Sequence, residues 1–159
     1  MYLLDADSMI DAKNRYYGFD IAPGYWDWLV AAHHRGTVHT VKSVRDEVEL
    51  GNDQLAMWMK GLPKGFSISP TAGDATAFET LATWAEAGYF KDSAASEFQS
   101  KGDFFLVGQS LSNNSVVVTN ELSEPNRKSR VKIPDACDHL GVECITAFEM
   151  LRRERVQLK

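Results

Sequence analysis

The chain has 159 residues, of which 44% are hydrophobic and 25% charged, and its net charge is −5. This length suits one domain spanning 1–159 with a core of its own, and the negative charge excludes a protein that holds nucleic acid by bulk attraction. No apolar run approaches the ~18 residues of a membrane span, so we expect no membrane contact. Asp5 interrupts the N-terminus before a signal-peptide core forms, which predicts a cytoplasmic protein.

Short apolar runs typical of strands alternate with helical patterns along the chain. The strand-like runs are 2–4, 37–41, 66–68, 115–119 and 142–145. The helical patterns are 23–35, 43–50, 53–60, 74–87, 103–112, 134–140 and 146–155. This alternation predicts an α/β fold with a largely parallel sheet, whose ligand sites lie beyond the carboxyl ends of the strands.

Acidic residues stand where two of the predicted strands end. Asp5 and Asp7 follow the apolar run "YLL" at 2–4, and Glu121 follows "SVVVT", directly after Thr119 and Asn120. Because the carboxyl ends of parallel strands meet at one edge of a sheet, these side chains are expected to lie together.

Two further acids stand on predicted helices. In "SVRDEVEL", 43–50, Glu47 falls on the inward stripe with Val44 and Val48, where a carboxylate is costly unless a cation receives it. The alternative is that Glu47 lies at the edge of the stripe and reaches water. Asp103 stands in the first turn of the apolar helix "GDFFLVGQSL", where an N-cap role is the alternative to chemistry.

Together these four carboxylates predict a metal site. Acids gathered in one pocket repel each other and raise each other's pKa, so they need a cation. Oxygen ligands without Cys or His favour Mg²⁺ or Mn²⁺, and such a site suits phosphodiester hydrolysis. The two cysteines, Cys137 and Cys144, are too few and too irregularly spaced for a zinc site, and we expect small buried hydrophobes there.

Four segments in this order, "LLDADSMI", "VRDEV", "GDFFLVGQS" and "VVVTNE", resemble the signature of PIN-domain ribonucleases. Two longer segments, "DAKNRYYGFDIAPGYWDWL" and "VKIPDACDHLGVECITAFEMLR", further resemble the VapC-like bacterial toxins of type II toxin–antitoxin systems. The resemblance covers the whole chain.

This resemblance implies a PIN-like three-layer fold, with a central four- to five-stranded parallel sheet flanked by helices. It implies Mg²⁺- or Mn²⁺-dependent endoribonuclease activity on single-stranded or loop RNA. The partners that it implies are the RNA substrate, a cognate antitoxin protein and a second copy in a homodimer.

Carried over residue by residue, the resemblance makes four acids the catalytic metal ligands: Asp5, Glu47, Asp103 and Glu121. It makes Asp7, Thr119 and Asn120 supporting residues. Glu121 stands where the family has Asp, so either Glu121 or Asn120 completes the site.

Basic residues are candidates for RNA contacts. The loop "NRKSRVK", 126–132, follows Glu121, so Arg127, Lys128 and Arg130 are expected at one rim of the site. Lys13 and Arg15 follow Asp5 closely and are expected at the opposite rim.

The segment 16–28 is more aromatic than one helix needs. Tyr25, Trp28 and Leu29 explain its inward stripe. The aromatic residues outside that stripe are Tyr16, Tyr17, Phe19 and Trp26. Exposed Tyr and Trp are enriched in protein interfaces, and the negative net charge disfavours base stacking. These four residues are therefore candidates for the antitoxin or dimer contact.

Two other functions remain open. One is a PIN-like binding module without catalysis, in which the acids serve as caps and solvated turns. The other is a phosphatase of the haloacid-dehalogenase type, because "LLDADS" also resembles its Asp-x-Asp loop. That chemistry needs a later acidic pair after a strand, whereas Asp103 opens an apolar helix.

Overall fold

The computed structural model describes residues 1–159, in which five parallel strands form one central sheet flanked by nine helices. The strands are β1 (Tyr2–Leu4), β2 (Val38–Val41), β3 (Ser67–Ile68), β4 (Val116–Val118) and β5 (Cys144–Ile145). The helices are α1 (Ala6–Asp11), α2 (Pro23–His34), α3 (Lys42–Glu49), α4 (Gln54–Gly61), α5 (Ala75–Ala85), α6 (Asp92–Ser100), α7 (Gly102–Asn113), α8 (Ile133–Leu140) and α9 (Ala147–Arg153). A π-helical turn, Ala12–Tyr16, extends α1, and 3₁₀ turns lie at Lys64–Phe66 and Ala72–Asp74. The predicted α/β fold with a four- to five-stranded parallel sheet is confirmed.

The strand order is β3-β2-β1-β4-β5, so β1 lies at the centre. Leu3 pairs with Val117 of β4 on one side and with His39 of β2 on the other. Parallel strands covered on both faces consist of apolar residues almost throughout, and "YLL" and "VVV" fit this rule. All five predicted strands and all seven predicted helices are present, with ends within two residues of those expected.

The helices α1 and α6 were not predicted. The apolar face of α6 is made of Ala94, Ala95 and Phe98, and two alanines give a weak periodic signal. On the neighbouring α7, Gly108 permits close packing, since a Cβ there would lie 2.4 Å from the ring of Phe78 in α5. None of the nine helices combines the length and apolar composition needed to cross a membrane.

Trp26 corrects the interface prediction, because it is only 2% exposed. Its ring stacks on Phe19 at 4.0 Å between centroids and meets Trp58 of α4 edge-on at 4.9 Å. Its indole N–H donates to the carbonyl of Tyr17 over 2.7 Å. The helical pattern indicated only the face of α2 toward the sheet, whereas α4 and the preceding loop bury a second face.

The other aromatic candidates divide by exposure. Tyr17 is half-buried and stacks on Tyr25 at 4.4 Å, and Phe19 is half-buried against Trp26. Tyr16 is 46% exposed, with its ring edge-on to Phe148 of α9 at 5.2 Å. Of the four residues predicted to meet a partner, only Tyr16 is mainly exposed.

The two cysteines are free thiols on neighbouring elements. Cys137 in α8 is buried as predicted, whereas Cys144 in β5 is only partly buried. Hydrogen bonding to Cys144, together with burial, raises the pKa of the Cys137 thiol, which favours its neutral form.

Candidate metal centre at the carboxyl edge of the sheet

Asp5 is the innermost carboxylate at this edge. It follows β1, is 1% exposed and caps α1, where its Oδ1 accepts the N–H of Ser8 over 2.6 Å. Its Oδ2 accepts the hydroxyl of Thr119, which follows β4, over 2.5 Å. Burial raises the pKa of Asp5 to about 7, although these hydrogen bonds oppose the rise. Asp5 is therefore a fixed carboxylate without a cationic partner.

Asp103 approaches the same edge from α7. Lys101, not Asp103, is the N-cap of this helix, and no hydrogen bond to the Asp103 carboxylate is present. The N-cap alternative for Asp103 is therefore wrong. Burial raises the pKa of Asp103 to about 6, helped by the negative charges of Glu121, Glu47 and Asp7 in that order. Acids from four separate segments of the chain thus act on one another here.

Glu47, on α3, binds the backbone of α7 at Gly102, the residue before Asp103. Its Oε1 accepts the N–H of Gly102 over 2.6 Å. A Cβ at Gly102 would lie 2.9 Å from Val44 and 3.1 Å from Glu47 Oε2, so the close approach requires glycine. Glu47 itself is exposed, which corrects the expectation that it lies within the buried stripe. Its carboxylate is held at the first residue of α7 by this hydrogen bond.

Glu121 is nearly buried, with its side chain 4% exposed, and both of its oxygens have partners. Oε1 accepts from the guanidinium of Arg130 over 2.8 Å, and Oε2 accepts the N–H of Ile133 at the start of α8 over 2.9 Å. The adjacent Asn120 contacts Asp11 at 3.5 Å and accepts the N–H of Ala147 over 3.4 Å. Among the neighbouring acids, the charge of Glu121 acts most strongly on Asp103.

All five basic candidates are engaged within the protein. Their partners are Asp53 for Lys13, Asp11 for Arg15, Glu124 for Arg127, the ring of Tyr89 for Lys128, and Glu121 for Arg130. The sequence pattern indicated free cations, but an acidic chain supplies carboxylates near most of them. The exposed ion pairs of Arg15 and Arg127 contribute only about 0–1 kcal/mol, so these two side chains are able to exchange partners.

Two residues of the site were not predicted, Ser8 and Gly102. Ser8 stands three residues after Asp5, the spacing of an N-cap and the N–H that it accepts, so a signal for it was present. Gly102 binds through its backbone, and its only signal was a glycine directly before Asp103.

The donor set fits a hard divalent cation. All of the candidate ligands are oxygens, Asp103 has unshared lone pairs, and no cation lies against Asp5 or Asp103. As the side chains are placed, no three of them are close enough to hold one ion. Asp7 is exposed, Glu47 is exposed but accepts the N–H of Gly102, and Asp5 is held by Ser8 and Thr119. Asp103 follows α6 rather than a strand, unlike the acidic pair that the phosphatase alternative needs.

Glu121→Gln is expected to affect the structure as well as metal binding. The glutamine amide has only one acceptor oxygen and no charge. It therefore cannot keep both the ion pair with Arg130 and the hydrogen bond from the N–H of Ile133. We expect a loss of about 1–3 kcal/mol in the free energy of unfolding without metal, the usual cost of a bond to a charged group. Urea unfolding in EDTA measures this loss, with Glu124→Gln in the same loop as the control, because the side chain of Glu124 is 42% exposed and pairs with Arg127 near solvent. An unchanged stability would show that the ion pair to Arg130 contributes nothing.

One family model matches this chain, a domain of unknown function (DUF4411), over residues 2–158. No curated protein and no solved structure matches it.

Proposed function

Because the chain belongs to the DUF4411 family, described as a domain of unknown function, we propose its function from the site itself: a Mg²⁺- or Mn²⁺-dependent endoribonuclease. The observation that carries this proposal is that acids from separate segments act on one another at one edge of a parallel sheet: the charge of Asp7 acts on both Asp5 and Asp103, and Glu47 accepts the N–H of Gly102, the neighbour of Asp103. The ordered resemblance of the segments around these acids to PIN-domain ribonucleases supports RNA as the substrate. Hydrolysis of a phosphodiester bond in single-stranded or loop RNA is the reaction that we assign.

In this proposal the carboxylates of Asp5, Glu47 and Asp103 hold the cation, with Asp7 beside them and with Glu121 or Asn120 completing the site. A bound divalent cation activates water and offsets charge on the phosphate and the leaving oxygen. The Thr119 hydroxyl and the Ser8 N–H fix the orientation of Asp5. Burial raises the pKa of both Asp5 and Asp103, so these are the two carboxylates that a neutralising cation stabilises most.

We extend the proposal to a biological role. The resemblance of the two longer segments to VapC-like toxins supports the toxin of a toxin–antitoxin pair that acts in the cytoplasm. A cognate antitoxin and a second copy of the chain are the protein partners in this proposal. The exposed ring of Tyr16, beside Phe148, is the aromatic surface left for such a contact.

Incubation of the purified protein with total RNA tests the activity. We expect fragments in the presence of Mg²⁺ or Mn²⁺, none in EDTA, and none with Asp5→Asn. Fragments that persist with Asp5→Asn, or that form equally in EDTA, would contradict a metal-dependent reaction at this site.

A second candidate function is a PIN-like binding module without catalysis. It is favoured by the engagement of both Glu121 oxygens and by the lack of any three carboxylates placed to hold one ion. Titration with Mn²⁺ separates the two, because a module with no metal site shows no rise in melting temperature.

A further inference from the structure

A second feature lies beside β2 and β3, where a pocket extends from the carboxyl edge of the sheet to Lys60 near the end of α4 and to Lys64, which precedes β3. The residues that follow these strands, Lys42 and Ser69, line an open pocket of about 610 Å³. Thr40 of β2 donates its hydroxyl to the carbonyl of Leu4 over 2.6 Å, and Val41 pairs with Ile68 of β3. Neighbouring strands lie about 4.8 Å apart, so this pocket begins one strand away from Asp5.

The pocket has an excess of positive charge. Its walls carry four cations and two carboxylates, Asp46 and Glu49, in a chain whose net charge is −5. Lys42 pairs with Asp46 at 2.6 Å, and Arg45 pairs with Glu49 at 2.7 Å. The other two cations are Lys60 and Lys64, which are exposed and form no ion pair.

Arg45 gives the pocket a rigid floor. Its guanidinium donates to the carbonyls of Met59, Leu62 and Pro63 over 2.8–3.0 Å, and its side chain is only 11% exposed. These bonds hold the end of α4, and with it Lys60, against α3. The two unpaired lysines therefore stand at fixed backbone positions around an opening that also exposes the hydroxyl-bearing Ser69.

We propose that this pocket binds a backbone phosphate of the RNA strand on one side of the scissile bond, through Lys60 and Lys64. The inference rests on the proposed function for the identity of the anion. The strand then crosses the carboxyl edge from the pocket, over Asp5, toward Thr119. Unlike the basic loop 126–132, whose candidate cations face carboxylates or a ring, the two lysines have no partner to give up.

The test compares Lys60→Gln/Lys64→Gln with Arg35→Gln and the unchanged protein. Arg35 is an exposed cation at the end of α2 that does not line the pocket and forms no ion pair. Binding of a labelled single-stranded RNA oligonucleotide is followed by fluorescence anisotropy in EDTA, which prevents metal-dependent cleavage. We expect the double variant to bind about tenfold more weakly and to flatten the slope of log K against log salt by about 0.7 for each phosphate that the lysines no longer neutralise. Arg35→Gln should change neither quantity appreciably.

The inference would be overturned if the double variant and Arg35→Gln had the same affinity and the same salt slope. It would also be overturned if the wild-type protein did not bind the oligonucleotide. Inorganic phosphate is the second probe. If it raises the melting temperature through Lys60 and Lys64 while RNA binding ignores them, the pocket takes a free anion and the RNA assignment is wrong. Cleavage of RNA is measured separately. Metal-dependent cleavage that does not depend on the lysines would contradict this inference and leave the proposed function intact. Lysine-dependent RNA binding without any cleavage would contradict the proposed function and leave this inference intact.

Discussion

Asp103→Asn is expected to abolish RNA cleavage and, at the same time, to stabilise the metal-free protein above about pH 6. The loss of activity should reach about 100-fold or more, the scale on which single electrostatic groups act in active sites. The gain in stability follows because the folded protein holds this carboxylate among other acids and away from water. Its pKa of about 6 in the folded protein, against the usual 3.8, limits the gain to about 3 kcal/mol.

The sign of the pH dependence distinguishes this model from a structural role. Because folding raises the pKa, the contribution of Asp103 to stability is fully present below about pH 4 and is lost as the pH rises through about 6. An asparagine does not ionise, so the melting temperatures of variant and wild type should diverge over that range. Thermal unfolding in EDTA measures the divergence.

Asp92→Asn is the matched control, because Asp92 also stands in the first turn of its helix, α6, but is exposed. It should leave cleavage unchanged and lower stability by about 0.3–1 kcal/mol through the helix dipole. A melting temperature that falls with Asp103→Asn at every pH would mean that this carboxylate is structural and would remove it from the proposed site.

Trp26→Ala is expected to destabilise the protein by about 3–5 kcal/mol, the usual cost of removing a large buried side chain. The substitution empties a space between Phe19 and Trp58 and leaves the carbonyl of Tyr17 without its indole donor. Urea unfolding, followed by circular dichroism, measures the change in stability. Binding of a partner protein is measured only for variants that are folded.

Tyr16→Ala is the control from the same segment. Its ring is 46% exposed, so its loss should change the free energy of unfolding by about 0.5 kcal/mol. If Trp26→Ala kept full stability and weakened only the binding of a partner protein, the interface interpretation of Trp26 would be right and its burial unimportant.

The fold could be predicted because its apolar runs are compatible with few kinds of secondary structure. "YLL" and "VVV" are too short and too apolar for surface helices, and the helices between parallel strands are required by the crossover connections. The helix α6 was missed because its inward face is largely alanine, and α1 because it is short and continues into a π-helical turn. Trp26 was misjudged because a helical wheel shows one packed face and cannot show that α4 covers a second.

The site was partly predictable for a similar reason. The proximity of Asp5 and Thr119 follows from the rule that the carboxyl ends of parallel strands share an edge. The ion pair between Glu121 and Arg130 did not follow, because side-chain directions beyond the end of a strand depend on the loop, which no periodic pattern describes. The close approach of Glu47 to Gly102 depends on how α3 packs on α7 and has no local signal.

The bond between Thr119 and Asp5 joins residues 114 positions apart, and this separation bears on how the protein is made. While the chain is being synthesised, β1 pairs with β2 early but waits for β4 on its other side. Contacts of such long range form late in folding because a long loop must close first. A ribosome-bound chain that has not yet reached β4 has neither the hydroxyl that orients Asp5 nor Glu121 beside Asp103. The acid cluster is therefore completed only when most of the domain has emerged from the ribosome.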